Sequence, residues 1–151
     1  MFPDSHKMNE NIIKEKIEKA IDIICPLYRT NLISQAFIVG SVAKGTVRKE
    51  SDIDIIIVNP ILHNAADFPP MLTVLPYTPS EEEELIEILR SQIVDILKSI
   101  GVEFREIYRK ESSLWYQFYN GEIFHIMTRK DIKYLMHDFK EYIEITRDLC
   151  P

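Results

Sequence analysis

Hydrophobic positions recur with a helical period near the start of the chain. Between residues 9 and 24, isoleucines appear every three or four positions, and lysines and glutamates fill much of the space between them. This spacing predicts an amphipathic helix with one face against a core. Pro26 follows closely. Because proline lacks a backbone N–H and clashes with the preceding turn, we expect the helix to end there.

Two short apolar runs come next and predict buried strands. The first covers residues 36–39 and is followed by Gly40-Ser41, after which residues 41–45 have the length of one helical turn. The second covers residues 52–58, is rich in isoleucine and stops at Asn59-Pro60. Residues 59–79 then hold five of the eight prolines and predict a loop inside the domain.

The pattern changes back to a helical period after this loop. A second helix is predicted from residue 79 to Gly101, a residue that commonly follows a helix end. Residues 102–108 predict a strand, and residues 115–119 and 122–127 predict a hairpin across Asn120-Gly121. A last helix is predicted over residues 131–147. The apolar stripe of the second helix is expected to consist of Leu85, Leu89, Ile93, Ile96 and Ile100.

The order of these elements predicts the fold class. Helix, two strands, helix, further strands and a final helix do not alternate as regular β-α-β units. We therefore expect an α+β fold, or mixed α/β, with helices packed on a mixed sheet. The length of 151 residues fits one domain over residues 1–151.

The net charge and the cysteines indicate which binding partners and which cell compartment to expect. The net charge of −6 argues against broad attraction to a nucleic-acid backbone. Cys25 and Cys150 are expected to be free thiols in a reducing compartment. The first residues lack the apolar core of a signal peptide, and no apolar run is long enough to cross a bilayer. These features predict a cytoplasmic protein with no membrane partner.

The second predicted strand begins with two carboxylates, Asp52 and Asp54. Strand side chains alternate, so both carboxylates face one side of the sheet while Ile53 and Ile55 face the other. Two like charges placed together are unfavourable unless a cation or hydrogen-bond donors offset them. Magnesium prefers carboxylate and phosphate oxygens. This pair therefore predicts a site for Mg²⁺ or Mn²⁺.

Gly40-Ser41 is the second candidate feature. Glycine lets the backbone approach a ligand closely, and the N–H groups of such a turn can cradle phosphate oxygens together with the Ser41 hydroxyl. A phosphate-binding turn and a metal-binding pair suit one ligand, a nucleoside triphosphate with its metal.

The whole segment resembles the signature of the nucleotidyltransferase superfamily related to DNA polymerase beta. That signature runs Gly-Ser, a later glycine, here Gly45, and then Ser-Asp-x-Asp, here residues 51–54. The resemblance implies a mixed sheet and transfer of a nucleoside monophosphate to an acceptor hydroxyl. It also implies roles for particular residues. Asp52 and Asp54 would bind metal and act in catalysis, Gly40 and Ser41 would bind phosphates, and Lys44 and Arg48 would neutralise triphosphate charge.

The family usually has a third carboxylate on a later strand, and this sequence departs from that pattern. Counting four residues from Gly121 gives His125, whereas the strand directly after the helix offers Glu103. Strand alternation lets His125 share a face with Asp54 if their strands are neighbours. We expect His125 to occupy the position, and Glu103 is the alternative. Glu122 is three residues from His125 and is expected to face the other side.

The departure leaves two interpretations of function open. The first is a metal-dependent nucleotidyltransferase whose acceptor is a small molecule or a protein rather than a nucleic acid. The second is a degenerate member that binds nucleotide or a protein partner without catalysis, as an antitoxin-like subunit would. Intact Asp52 and Asp54 favour the first, and the lack of a carboxylate at the position counted from Gly121 favours the second.

Overall fold

The computed structural model describes residues 3–59, 79–110, 113–129 and 139–151. Apart from Asn59 and Pro79, the predicted loop lies outside the described residues, as do residues 131–138 of the predicted last helix. The helices are α1 (Pro3–Arg29), α2 (Ser41–Lys44) and α3 (Pro79–Ser99), with a short 3₁₀ turn at Arg147–Leu149. The strands are β1 (Gln35–Val39), β2 (Ile53–Val58), β3 (Glu103–Lys110), β4 (Ser113–Tyr119), β5 (Ile123–Arg129) and β6 (Ile143–Glu144).

The strands form one six-stranded mixed sheet in the order β3-β4-β5-β2-β1-β6. The central pair, β2 and β5, is parallel, and the other neighbours are antiparallel. The predicted hairpin is confirmed, because β4 and β5 pair across Asn120-Gly121. The α+β fold class is confirmed as well, since helices pack on a mixed sheet.

Alternation along β2 divides its side chains between two faces. Ile53, Ile55 and Ile57 face α1 and α3 and join the main core. The opposite face carries Asp54 and a smaller apolar cluster that includes Ile56, Val58, Trp115 and Met127. A sheet covered by helices on one face therefore presents its polar residues on the other. Within the described residues, no helix has the length and hydropathy needed to cross a bilayer.

The prediction that α1 ends at Pro26 is wrong. The helix continues to Arg29 with Pro26 inside it. A proline there removes one helical hydrogen bond. The turn after it is nevertheless held in place, because Leu27 and Tyr28 are buried and the Tyr28 hydroxyl donates to the Ile145 carbonyl over 2.6 Å. Tertiary packing thus overrides a local breaker.

The prediction for α3 holds in its bounds and fails in one detail. Leu89 and Ile93 are buried as expected, but Ile100 is exposed and Leu97 takes its place in the core. The helix ends at Ser99, and the Val102 N–H then donates to the Leu97 carbonyl. The chain therefore leaves the helical path before Ile100 can join the stripe.

The predicted last helix is wrong over residues 139–147. Ile143 and Glu144 form β6, which pairs with Ile38 and Phe37 of β1. The spacing of apolar residues in this segment suits a helix, but the free edge of β1 offers backbone partners that a helix would not use. Sheet extension therefore decides the structure of this part of the chain.

The expectation of two free thiols is also wrong. Cys25 of α1 and Cys150 form a disulfide, with Cα atoms 5.5 Å apart. The pairing of β6 with β1 brings the last residues to α1, where the Tyr28–Ile145 hydrogen bond lies alongside. Disulfides are rare in the cytosol, so this bond removes one of the reasons for expecting a cytoplasmic protein.

Candidate active site

Gly40 links β1 to α2 and lies directly against Asp54. Its φ of 73° is one that glycine adopts without strain. A Cβ atom at this position would lie 2.5 Å from Oδ2 of Asp54, well inside van der Waals contact. The sequence predicts close backbone approach to a ligand, and the structure shows close approach to a carboxylate. Glycine at this position leaves room for the Asp54 side chain.

The turn after Gly40 is short and closed by backbone hydrogen bonds. The Lys44 N–H donates to the Gly40 carbonyl, and the Thr46 N–H donates to the Ser41 carbonyl. Ser41 is partly exposed at the start of this turn. Lys44 and Arg48 are exposed, Lys44 at the end of the turn and Arg48 farther along the chain. Ser41, Lys44 and Arg48 are therefore all accessible to solvent at least in part.

Asp52, Asp54 and His125 come together at the start of the central parallel pair. Asp54 of β2 is the direct partner of His125 of β5. The His125 Nδ1 atom lies 3.2 Å from Oδ1 of Asp54 and 3.5 Å from Oδ2 of Asp52. Asp54 is buried, whereas the Asp52 side chain is 41% exposed. Both carboxylates therefore converge on one nitrogen, with Asp52 on the solvent side.

Neighbouring strands hold the His125 ring in place. Its Nε2 atom lies 3.4 Å from Oε1 of Gln117 on β4. The Tyr108 ring of β3 stacks on it, with centroids 4.8 Å apart and planes 2° from parallel, and Trp115 meets it edge-on. The imidazole is therefore buried and oriented by contacts on both its nitrogens and on its face.

The structure does not bring Glu103 to this site. Glu103 is an exposed residue at the start of β3 and pairs with Tyr119 of β4. Three strand spacings separate β3 from β2, which corresponds to about 14 Å. Of the two candidates for the third position, His125 is the residue next to Asp54.

Lys16 is a buried lysine that the sequence pattern did not single out. It lies on the side of the sheet that α1 covers, opposite the side that carries His125. Lys16 of α1 is only 2% exposed. Its Nζ donates to the carbonyls of Lys49 and Ser51, both over 2.8 Å, and to Oε2 of Glu122 over 2.6 Å. Lys19 donates to the other Glu122 oxygen over 2.7 Å. We call Lys16, Lys19 and Glu122 the ion-pair cluster.

The ion pairs of this cluster shift the pKa values of Glu122 and Lys19. Burial raises the pKa of Glu122, but hydrogen bonds from Lys16 and Lys19 lower it more, so the pKa lies below its ordinary value of 4.5. The hydrogen bond to Glu122 likewise raises the pKa of Lys19 above 10.5. Glu122 faces α1, on the side of the sheet away from His125, as strand alternation predicts.

A signal for Lys16 was present in the sequence. It is spaced four residues before Ala20 and seven before Ile23, so it lies on the apolar stripe of α1 rather than on its polar face. A lone lysine on an apolar stripe must find acceptors when it is buried. What the sequence could not show is which acceptors, because Glu122 is 106 residues away.

The converging carboxylates fit a divalent cation that is shared with a substrate. In the part of the chain that the structure describes, no group of three or more His, Cys, Asp and Glu side chains is arranged to hold a metal ion by itself. Magnesium is commonly bound by one or two carboxylates together with substrate phosphates and water. Asp52 and Asp54 supply that number of carboxylates, beside an accessible turn of Gly40 and Ser41.

A comparison with known protein families shows which family the chain belongs to. The family described as Nucleotidyltransferase domain matches residues 17–139, which is more than half of the chain. The chain belongs to the nucleotidyltransferase family. No curated protein sequence matches it.

Three solved structures of terminal uridylyl transferase 4 from Trypanosoma brucei are similar to the chain. The structure with bound UTP and UMP has a TM-score of 0.49 and 14% identity, and the match covers 84% of this chain and 38% of that one. The structure with dUTP has a TM-score of 0.47 and 14% identity, with 74% and 34% covered. The structure with UPU has a TM-score of 0.46 and 15% identity, with 78% and 35% covered. The chain thus spans less than two fifths of the length of these proteins.

Proposed function

We propose that this chain transfers a nucleoside monophosphate from a nucleoside triphosphate to an acceptor hydroxyl with the help of Mg²⁺ or Mn²⁺. The observation that supports it best is the convergence of Asp52 and Asp54 on the same side of the sheet, next to the Gly40-Ser41 turn. Membership of the nucleotidyltransferase family supports the same reaction class.

The two carboxylates, the turn and the nearby cations each have a role in this proposal. Asp52 and Asp54 hold the cation, which when bound neutralises charge on the triphosphate and on the departing pyrophosphate. The Ser41 hydroxyl and nearby backbone N–H groups bind phosphate oxygens. Lys44 and Arg48 are exposed cations that offset the remaining triphosphate charge.

The reaction is a substitution at the α-phosphorus. The acceptor oxygen forms a bond to that phosphorus, the bond to the pyrophosphate oxygen breaks so that pyrophosphate leaves, and the hydroxyl proton of the acceptor passes to water. The chain contributes mainly by positioning the triphosphate and stabilising its charge, as is usual in phosphoryl chemistry. A net charge of −6 favours a small molecule or a protein as acceptor over a nucleic acid.

One observation supports a second candidate function. The position next to Asp54 is a histidine. An imidazole offers a cation one ring nitrogen, which is a poorer magnesium ligand than a carboxylate oxygen. A chain of this kind would bind the triphosphate, or a protein partner, without transferring the nucleotide.

A measurement of pyrophosphate release distinguishes the nucleotidyltransferase from the non-catalytic binding function. The protein is incubated with ATP, GTP, CTP or UTP, with Mg²⁺ or Mn²⁺, and with an acceptor of each class: a polyhydroxy small molecule, a peptide mixture and an RNA oligonucleotide. We expect release with at least one combination. The double variant Asp52→Asn/Asp54→Asn should abolish it, while Asp95→Asn, an exposed carboxylate on α3, should not.

If no pyrophosphate is released, binding measured in parallel shows which part of the proposal is wrong. Calorimetric titration with a non-hydrolysable triphosphate should show affinity that depends on the cation and that the double variant loses. Cation-dependent binding without pyrophosphate release for any acceptor would favour the non-catalytic function. Affinity that ignores the cation, or that survives in the double variant, would refute the metal assignment.

A further inference from the structure

Asp52 lies just outside regular secondary structure. Strand β2 begins at Ile53, so the preceding turn decides the direction of the Asp52 side chain. That turn has two local hydrogen bonds: the Ser51 N–H donates to the Arg48 carbonyl, and the Arg48 N–H donates to the Ser51 hydroxyl. Neither contact joins the turn to the rest of the fold.

Lys16 supplies that connection. Two of its three ammonium hydrogens go to the Lys49 and Ser51 carbonyls, and the third goes to Glu122. The Ser51 carbonyl belongs to the peptide unit that carries the Asp52 nitrogen. Glu122 lies in the turn of the β4–β5 hairpin, three residues before His125. One buried ammonium group therefore joins α1 to the chain segments that carry Asp52 and His125.

We propose that Lys16 is a positioning residue of the active site. By binding the 48–51 turn and Glu122 together, it fixes Asp52 relative to Asp54 and His125. Its effect on catalysis rests on the proposed function, but its effect on the turn does not. Side chains that orient metal ligands commonly change metal affinity or activity by about 10- to 100-fold when they are removed.

The chain offers two matched controls. Lys19 shares Glu122 and, among the described residues, otherwise pairs only with Glu15, so Lys19→Met weakens the ion pair and leaves the turn bound. Tyr28→Phe removes a buried hydrogen bond of α1 that lies away from the site. Lys16→Met keeps the length of the side chain and removes all three donors.

Hydrogen exchange followed by mass spectrometry tests the positioning directly. In Lys16→Met we expect faster exchange in the 48–54 segment, and in Lys19→Met and Tyr28→Phe we expect parental exchange there. A Lys16→Met variant with parental exchange in this segment would refute the proposal, whether or not the protein is an enzyme. If Lys16→Met does not fold, Glu122→Ala, which leaves Lys16 bound to the turn alone, should raise exchange at the hairpin turn around residues 120–123.

Activity and metal binding test whether the position of the 48–51 turn affects the active site. Below the melting temperature of every variant, Lys16→Met should reduce Mn²⁺ affinity in the presence of a triphosphate by about 10- to 100-fold, with a fall in kcat, while both controls stay near the parent. Equal losses of Mn²⁺ affinity and kcat in Lys16→Met and Tyr28→Phe would show that Lys16 only stabilises the fold. A parent without cation-dependent triphosphate binding would instead refute the proposed function, and hydrogen exchange would still decide the role of Lys16.

Discussion

Asp54 and His125 face each other directly across two parallel strands, with Oδ1 of the carboxylate 3.2 Å from Nδ1 of the imidazole. The resemblance to the superfamily signature leads us to expect a carboxylate at position 125, where this chain has an imidazole. In the metal site that we propose, the imidazole would supply one nitrogen beside the carboxylate oxygens of Asp52 and Asp54. The identity of residue 125 should therefore decide which cation supports the reaction.

We expect the parent to be more active with Mn²⁺ than with Mg²⁺, because manganese accepts imidazole more readily than magnesium does. The variant His125→Asp should raise the magnesium-supported rate of pyrophosphate release by roughly tenfold, the lower end of the range for changes around a metal site. Without metal, three nearby carboxylates repel one another, so its melting temperature in EDTA should fall.

The neutral variant His125→Asn is the control for loss of the imidazole alone. It should not gain magnesium-supported activity. Equal rates for the aspartate and asparagine variants, or a parent that prefers Mg²⁺, would contradict the role given to His125.

The variant Gly40→Ala should lose cation-dependent triphosphate binding, because the added Cβ would meet the Asp54 carboxylate at 2.5 Å. A positive φ also strains any other residue, which costs about 1–3 kcal/mol in the free energy of unfolding. Gly101→Ala is the matched control, since Gly101 has a φ of 84° and its added Cβ would meet no atom of the described residues within 4 Å.

Urea unfolding and calorimetric titration separate the two effects. Both variants should lose stability, and only Gly40→Ala should lose binding. Binding that is retained in Gly40→Ala would show that Asp54 can move without consequence.

The contribution of Glu122 to stability should depend on pH. Because its pKa is lowered in the folded protein, its stabilisation is present above the ordinary pKa of 4.5 and is lost as the pH falls through the lower folded value. Glu122→Gln should therefore reduce the free energy of unfolding by roughly 1.5–3 kcal/mol near neutral pH, the range for hydrogen bonds to charged groups. The difference from the parent should vanish at strongly acidic pH.

Denaturant unfolding across this pH range provides the measurement. Glu15→Gln is the control, because Glu15 is exposed and contacts only Lys19 of the ion-pair cluster in the described residues. A difference between Glu122→Gln and the parent that is constant with pH would argue against an ionised Glu122 in the cluster.

Reduction of the Cys25–Cys150 disulfide should destabilise the fold. The bond closes a loop of 125 residues in sequence, and cross-links of long loops commonly add about 2–4 kcal/mol to the free energy of unfolding. Cys150→Ser and the reduced parent should lose similar amounts in urea unfolding. Alkylation of both thiols in the denatured protein without reductant would show instead that the cysteines are free.

The sequence carried enough information to place the central part of the site. Alternation along the predicted strand over residues 52–58 places Asp52 and Asp54 on one face, although β2 itself begins at Ile53. The register of the Asn120-Gly121 hairpin is set by a short turn. Both are local patterns. The pairing of β2 with β5 then follows from packing and brings His125 to Asp54.

The parts that could not be predicted depend on partners distant in sequence. Pro26 is tolerated inside α1 because Tyr28 is anchored by Ile145, 117 residues away. Residues 143 and 144 form a strand because β1 offers an edge, although their apolar spacing resembles a helix. Local propensity is a weak prior where such tertiary contacts compete with it.

The in-register pairing of β2 with β5 also bears on how this gene can change. Position 125 already lies opposite Asp54, so no insertion or deletion is needed to put another ligand there. Histidine and aspartate codons differ only in their first base. A point mutation could therefore convert the imidazole into a carboxylate while the backbone around it stays as it is. One base change therefore separates this protein from a form with a carboxylate at position 125, and selection could act on that change in either direction.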